Sequence, residues 1–298
     1  MTVSVLVPSS LSREAEDKRE ATRKLGYVAR AATVFRADRL TVFPDPDGER
    51  KWGGGFVETV LRYAATPPYL RKEVWDRRDE LEFAGVLPPL RVTPQTGSGS
   101  NDSGSLRQGI VTEVGSDGRV RVNCGLQHPV SLVVPPEMEV DQGERVSVRI
   151  YSRRPVRAKL VDEPFAGFAV DRADLDAALA RDDAGLTVAA SRYGEELTLG
   201  RLGRVVDSIA DADGMTVVFG SPERGLPDIC GITPDAVTED HDESNGVRPS
   251  QARPGSLEDT SDGARFDLWL NTIPNQGSDV VRTEEAMFAT LASLTLTE

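Results

Sequence analysis

Two stretches of this chain set glycine and proline beside short apolar runs, as loops built to hold a ligand do. Thr216–Leu226 reads TVVFGSPERGL and Asn271–Leu294 reads NTIPNQGSDVVRTEEAMFATLASL. A third stretch, Leu25–Phe43, reads LGYVARAATVFRADRLTVF and couples an arginine-bearing helix to a strand. Glycine lets backbone approach a ligand or take a positive φ, and proline fixes a loop. Gly220, Gly225 and Gly277 supply the first property, Pro222 and Pro274 the second. Metal chemistry is not indicated, because Cys124 and Cys230 lie far apart and match no ligand spacing. There is no G-x-G-x-x-G and no Walker loop. What remains is positioning chemistry, in which backbone groups hold a ligand at the carboxyl ends of strands.

The elements that must carry these loops follow from hydrophobic periodicity. Ser4–Val7 reads as a strand, Glu14–Arg36 as an amphipathic helix and Leu40–Phe43 as a second strand, with 52–66 a further helix. Thr93–Ser105 is a linker by composition. Residues 106–161 are β-rich, with Val120 and Val122 alternating, Val146, Val148 and Ile150 doing the same, and a turn at Ser116–Gly118. This suggests a small barrel of the OB type. Gly167–Val170, Leu186–Ala190, Met215–Phe219 and Phe266–Leu270 read as strands, and Asp174–Arg181, Leu199–Ala210 and Thr283–Leu294 as helices. Thr283 is the expected N-cap of the last. Asp235–Gly263 is too polar to bury a core and reads as a disordered acidic loop. The organisation expected is an α/β domain over 1–92 and 162–298 with a mostly parallel sheet, split by a barrel over 106–161.

Composition bounds the partners. Apolar residues make up 39% of the 298, enough for a core. No apolar run is long enough to span a membrane. The N-terminus has no secretion-signal pattern, so a reducing cytoplasm is expected. The net charge of −13 argues at first against nucleic acid. Lysine, however, is confined to Lys18, Lys24, Lys51, Lys72 and Lys159, while Asp is abundant throughout, a balance seen in proteins of salt-loving archaea. Local arginine clusters then matter more than the total. Arg145, Arg149, Arg153, Arg154, Arg157 and Lys159 crowd one short stretch with Tyr151, a pattern suited to single-stranded nucleic acid. A solvated strand face is the bland alternative.

In order and spacing, the three stretches resemble the motifs of SPOUT-class RNA methyltransferases, in particular the archaeal and eukaryotic family whose α/β domain carries an OB-like insertion. Asn271–Pro274, Gln276–Ser278 and Arg282–Ala286 carry most of the likeness, which runs from Val3 to Leu294. The resemblance implies a deep trefoil knot near the C-terminus, S-adenosylmethionine held in the knot loops, homodimers, and RNA, ribosomal RNA above all, as substrate. It implies a cofactor site made by Phe219, Gly220, Ser221, Glu223 and Gly225, by Leu270, Asn271, Thr272, Ile273 and Pro274, and by Gly277, Ser278, Val281, Thr283 and Ala286. Arg30 matches the arginine of the first motif and is the implied catalytic residue. Arg282 is a further RNA contact. A non-catalytic RNA-binding or assembly protein that kept the fold is the second reading.

Overall fold

The computed structural model describes residues 1–92, 104–234, 237 and 265–296. Apart from Val237, the acidic stretch Asp235–Gly263 lies outside the described residues, as do Thr93–Ser103 of the linker. The chain divides into two compact units. The first comprises Met1–Arg62, Glu80–Pro89 and Ala169–Glu298, and the second Tyr63–Asp79 and Leu90–Phe168.

In the first unit the strands are β1 (Thr2–Pro8), β2 (Arg39–Phe43), β8 (Ala169–Arg172), β9 (Leu186–Glu196), β10 (Gly214–Phe219) and β11 (Leu268–Asn271). They form one sheet in the order β11-β9-β10-β1-β2-β8, and every pairing is parallel. The two central strands β10 and β1 are buried along nearly their whole length. A parallel strand covered on both faces must be apolar almost throughout, and VSVLV and MTVVF satisfy this. On one face, α4 (Leu175–Leu179) and α6 (Leu226–Cys230) join Leu6, Phe43, Ala189, Val218 and Trp269 in a single core cluster. Elsewhere α1 (Lys18–Val34) and α7 (Thr283–Leu294) pack on each other, and α7 also meets β10 and α5 (Leu199–Asp211). Phe35 and Phe288 meet edge to face at 5.8 Å. Leu25, Val28, Met287 and Leu291 are fully buried, each contributing about 2 kcal/mol through area removed from water.

Two boundaries differ from expectation for local reasons. α1 starts at Lys18, not Glu14, because the Asp17 carboxylate accepts from the Glu20 amide and caps it there. Ser9–Asp17 is thereby left as a loop above the end of β1. β9 runs on to Glu196 rather than ending at Ala190, because a register shift re-pairs Glu195 and Glu196 with Leu270 and Asn271. Gly194 makes the shift possible: a Cβ there would lie 2.5 Å from the Leu270 amide nitrogen. At α7, Arg282 is the N-cap and Thr283 the first helical residue, which corrects the expected cap. The Thr283 hydroxyl instead donates to the Gly220 carbonyl at 2.8 Å.

In the second unit, β3 (Ser105–Val114), β4 (Arg119–Asn123), β5 (Val130–Val133), β6 (Arg145–Arg153) and β7 (Val156–Val161) form an antiparallel sheet in the order β5-β4-β3-β6-β7. The edge strands β5 and β7 come together, so the sheet curls into a nearly closed barrel. Val111, Val120, Val122, Leu132, Val148, Ile150 and Leu160 fill it. The expected turn at Ser116–Gly118 is present, with Gly118 at φ 72°. Tyr69, from the segment before the barrel, donates to the Gln108 carbonyl at 3.0 Å.

Candidate functional site

The parallel sheet delivers the carboxyl ends of β9, β10 and β11 to one edge, where α/β sheets characteristically bind ligands. A cavity of about 210 Å3 opens there. From the loop after β10, Phe219, Gly220, Ser221, Glu223 and Gly225 line it; from the end of β11, Leu270, Asn271, Thr272 and Ile273 do; and from the approach to α7, Val281, Thr283 and Ala286. The structure therefore gathers into one wall residues that lie up to a third of the chain apart in sequence. Pro274, Gly277 and Ser278 are not in that wall. They belong to a self-bonded turn in which Gln276 Nε2 donates to Ser278 O at 2.8 Å and Ser278 Oγ to Val280 O at 2.9 Å. Sequence reasoning missed Ala190, Ser191, Arg192 and Tyr193, together with Asp228 and Asp279. The first four follow from the extension of β9 beyond Ala190, which only its bulged pairing with β11 reveals.

The loop after β10 is tightly specified. Ser221 and Arg224 exchange backbone hydrogen bonds at 3.0 and 3.1 Å, with Pro222 and Glu223 between them. Glu223 has φ 60°, a conformation that favours glycine. A Cβ on Gly220 would lie 2.9 Å from the Leu226 amide nitrogen and 3.0 Å from Arg224 O. The loop is also tied from below. Arg224 Nε and Nη2 donate to the Asp45 carboxylate at 3.1 and 2.9 Å. Ser10 Oγ donates to Asp45 Oδ2 at 2.5 Å and lies 2.9 Å from Ser221 Oγ. Asp45 is buried, and its hydrogen bonds to Arg224 push the guanidinium pKa up.

Beside this wall lies a cluster of buried charges. Lys24 on α1 is paired with Glu14 in the loop after β1. Arg282 Nε is 4.0 Å from Glu14 Oε1. Glu284, in the first turn of α7, is buried, and that burial raises its carboxyl pKa despite the opposing charge of Lys24. Arg30 sits half-buried on α1 and does not line the cavity.

The basic stretch divides. Tyr151, Arg153, Arg154, Arg157 and Lys159 are exposed on the strands and turn of β6 and β7, with Lys159 over the Tyr151 ring at 5.6 Å. Arg145 and Arg149 are instead covered by neighbouring side chains. Arg149 is 7% exposed and bound to Glu163, while Arg145 bonds Gln108 and lies over Phe165. Burial depresses the Arg145 pKa. On β6 these two alternate with the core residues Val146, Val148 and Ile150, so they lie on the opposite face of the strand, where Gln108, Phe165 and Glu163 cover them. Among the described residues no cluster of His, Cys, Asp and Glu is placed to hold a metal, and no helix is long and apolar enough to cross a membrane.

A family model described as Putative RNA methyltransferase matches residues 2–294. The chain belongs to this family. It is an RNA methyltransferase, an activity that requires a methyl donor and an RNA substrate. An uncharacterized protein of Haloarcula marismortui is 69% identical over the full length of both chains. The 28S rRNA (uridine-N(3))-methyltransferases of Mus musculus and Homo sapiens are each 29% identical, covering 98% of this chain and 76% and 77% of their own. The full-length likeness to the Haloarcula protein accompanies the acid-rich, lysine-poor composition of this chain.

Proposed function

We propose that this methyltransferase transfers a methyl group from S-adenosylmethionine to N3 of a uridine in large-subunit ribosomal RNA. The observation that carries the reading is the convergence of the glycine- and proline-marked loops on one cavity at the carboxyl ends of β9, β10 and β11. The residues fit the donor. Leu270, Ile273, Val281 and Ala286 offer an apolar slot for adenine, and the backbone around Gly220 and Gly225 is open to hydrogen bonding. Glu223 would take the ribose hydroxyls, while Asn271 shapes the wall, its side chain donating to Arg192 O and accepting from the Ile273 amide. When bound, the donor supplies a methyl group already activated by its sulfonium. The protein's part is to hold both reactants in line and to relieve the acceptor of a proton.

The trefoil knot belongs to this reading. It is supported by the return of the chain from β11, at the sheet edge, to α7 on α1 and β10, with Thr283 bonded to Gly220 on the way. So does the homodimer: Tyr27 and Val34 are exposed on the α1 face that carries Arg30, a surface that a second copy would cover. There Arg30 meets the partner's substrate rather than its own cavity. The barrel, an OB-like module, would grip RNA through Tyr151, Arg153, Arg154, Arg157 and Lys159. Arg282, 49% exposed beside the cavity, would take a phosphate.

The test is transfer of labelled methyl to unmodified large-subunit ribosomal RNA in high salt, followed by nucleoside mass spectrometry. N3-methyluridine is the expected product. A ribose or other base product would redirect the acceptor assignment. Donor and RNA binding with no transfer would favour the RNA-binding, non-catalytic reading.

A further inference from the structure

Three buried polar atoms without a hydrogen-bond partner occupy three consecutive residues: Ser12 Oγ, Arg13 Nε and Glu14 Oε2. Buried polar atoms are almost always satisfied, so three in a row in one loop need an explanation. The loop is Ser9–Asp17, above the carboxyl end of β1, next to β10 in the sheet. It is bracketed by the cavity wall. At its start Ser10 Oγ lies 2.9 Å from Ser221 Oγ. At its end Glu14 faces Arg282, which stands between the wall residues Val281 and Thr283. Ser12 is 0% exposed, while the Glu14 side chain is 19% and that of Arg282 49% exposed, so the cluster reaches solvent at one end. The three orphan atoms present a donor from Arg13, an acceptor from Glu14 and a hydroxyl that donates from Ser12. A uracil ring presents the complement along one edge: a carbonyl, the N3–H and a second carbonyl. Of the three acids of the cavity wall, Asp228 and Glu223 are otherwise engaged, while Asp279 lines the approach to α7. Asp228 accepts from the Gly225 amide at 3.1 Å, and Glu223 faces Arg50 at 3.8 Å.

We propose that Ser12, Arg13 and Glu14 form the acceptor-base site, with Glu14 the catalytic base that removes the N3 proton. This rests on the uridine-N3 reading above. The N3–H bond breaks as its proton passes to the Glu14 carboxylate. The electron pair left on N3 forms the bond to the methyl carbon, and the methyl–sulfur bond breaks with its pair staying on the donor sulfur. Lys24 acts as a positioning residue, holding the other Glu14 oxygen and fixing the carboxylate.

The first test needs no methyl donor. Saturation-transfer NMR of the full chain with uridine, cytidine and N3-methyluridine monophosphates reads the edge directly. Uridine monophosphate should give the strongest transfer, and its advantage should vanish in Glu14→Gln and weaken in Ser12→Ala. Equal transfer from all three, or an unchanged preference in Glu14→Gln, overturns the site. The second test is single-turnover methylation of large-subunit ribosomal RNA. Glu14→Gln should slow transfer about 100- to 1,000-fold, the usual contribution of a general base, and remove the rise of rate with pH that ionisation of the base produces. RNA transcribed with 5-fluorouridine, whose N3–H is more acidic, should recover at least about tenfold in Glu14→Gln and nothing in Ser12→Ala. Should Glu14→Gln fail to fold beside a buried Lys24, the paired change with Lys24→Met removes both charges and is measured in its place. A folded variant that is equally slow on both RNAs shows Glu14 to be a structural partner of Lys24. If the wild type methylates another position, the functional reading falls; if it methylates N3 and Glu14→Gln matches it, only this assignment falls.

Discussion

The loop after β10 and the hairpin joining β6 to β7 both depend on arginine, and they use it in opposite ways. Arg224 is bound by a buried carboxylate, and its loop is drawn down onto Ser10 and Asp45. Arg153, Arg154 and Arg157 stand in solvent on a short turn. An arginine fixed by Asp45 shapes backbone, and its charge is neutralised before any ligand arrives. An exposed arginine keeps its charge for a phosphate and gives little to stability. On the function proposed above, the cavity is a pre-shaped site and the hairpin an electrostatic one, and in a chain of net charge −13 the two are tested separately.

Perturbing each region separately tests the contrast. Gly220→Trp should act most strongly, because the added side chain has only Leu226 and Arg224 backbone to enter. Calorimetry in high salt should show S-adenosylmethionine binding weakened at least ~100-fold, about 2.7 kcal/mol. Retained binding would move the donor out of this cavity. Replacing Arg153, Arg154 and Arg157 by Ala should leave donor affinity and melting temperature unchanged. It should lower RNA affinity and reduce the slope of log affinity against log salt by about 1 for each arginine that meets a phosphate. An unchanged slope would remove the hairpin from the RNA surface. Asp45→Ala should cost about 2 kcal/mol in chemical denaturation, because Arg224 loses its partner but is itself partly exposed. Donor affinity should fall with it; a loss of stability alone would mean that the tether does not shape the cavity.

The smallest effect is expected at Glu284. Its folded pKa is raised by burial, so its contribution to stability is complete below the ordinary glutamate range and is lost as pH rises through the raised value. Glu284→Gln should thus melt with the wild type at low pH and above it at neutral pH, by under about 1 kcal/mol. The opposite trend would show that Lys24 outweighs desolvation.

Most elements of the first unit were legible because their periods are strong. Leu25, Val28, Ala29 and Ala32 mark one face of α1, and every one is fully buried. The wall residues from Phe219 to Gly225 and from Leu270 to Ile273 were legible through the resemblance of their stretches to the family's motifs, with which the glycines and prolines around them agree. That Arg145 and Arg149 are covered, while Arg153, Arg154 and Arg157 are not, was not legible, because Glu163 and Gln108 are too distant in sequence to announce a pairing. Ala190–Tyr193 were missed because a bulge at Gly194 depends on the neighbouring strand.

By itself the sequence determined the alternation of strands and helices, the β-rich insertion and the loops able to take unusual backbone, since these follow from local periodicity and from the stereochemistry of glycine and proline. Only the tertiary structure decided that Ser10, Asp45, Ser221 and Arg224 form one network, that Glu14 faces Lys24 and Arg282, and which arginines meet solvent. Those outcomes rest on strand order and register, which bring residues up to 268 positions apart in number within 4.0 Å, and such long-range pairings leave no local pattern to read.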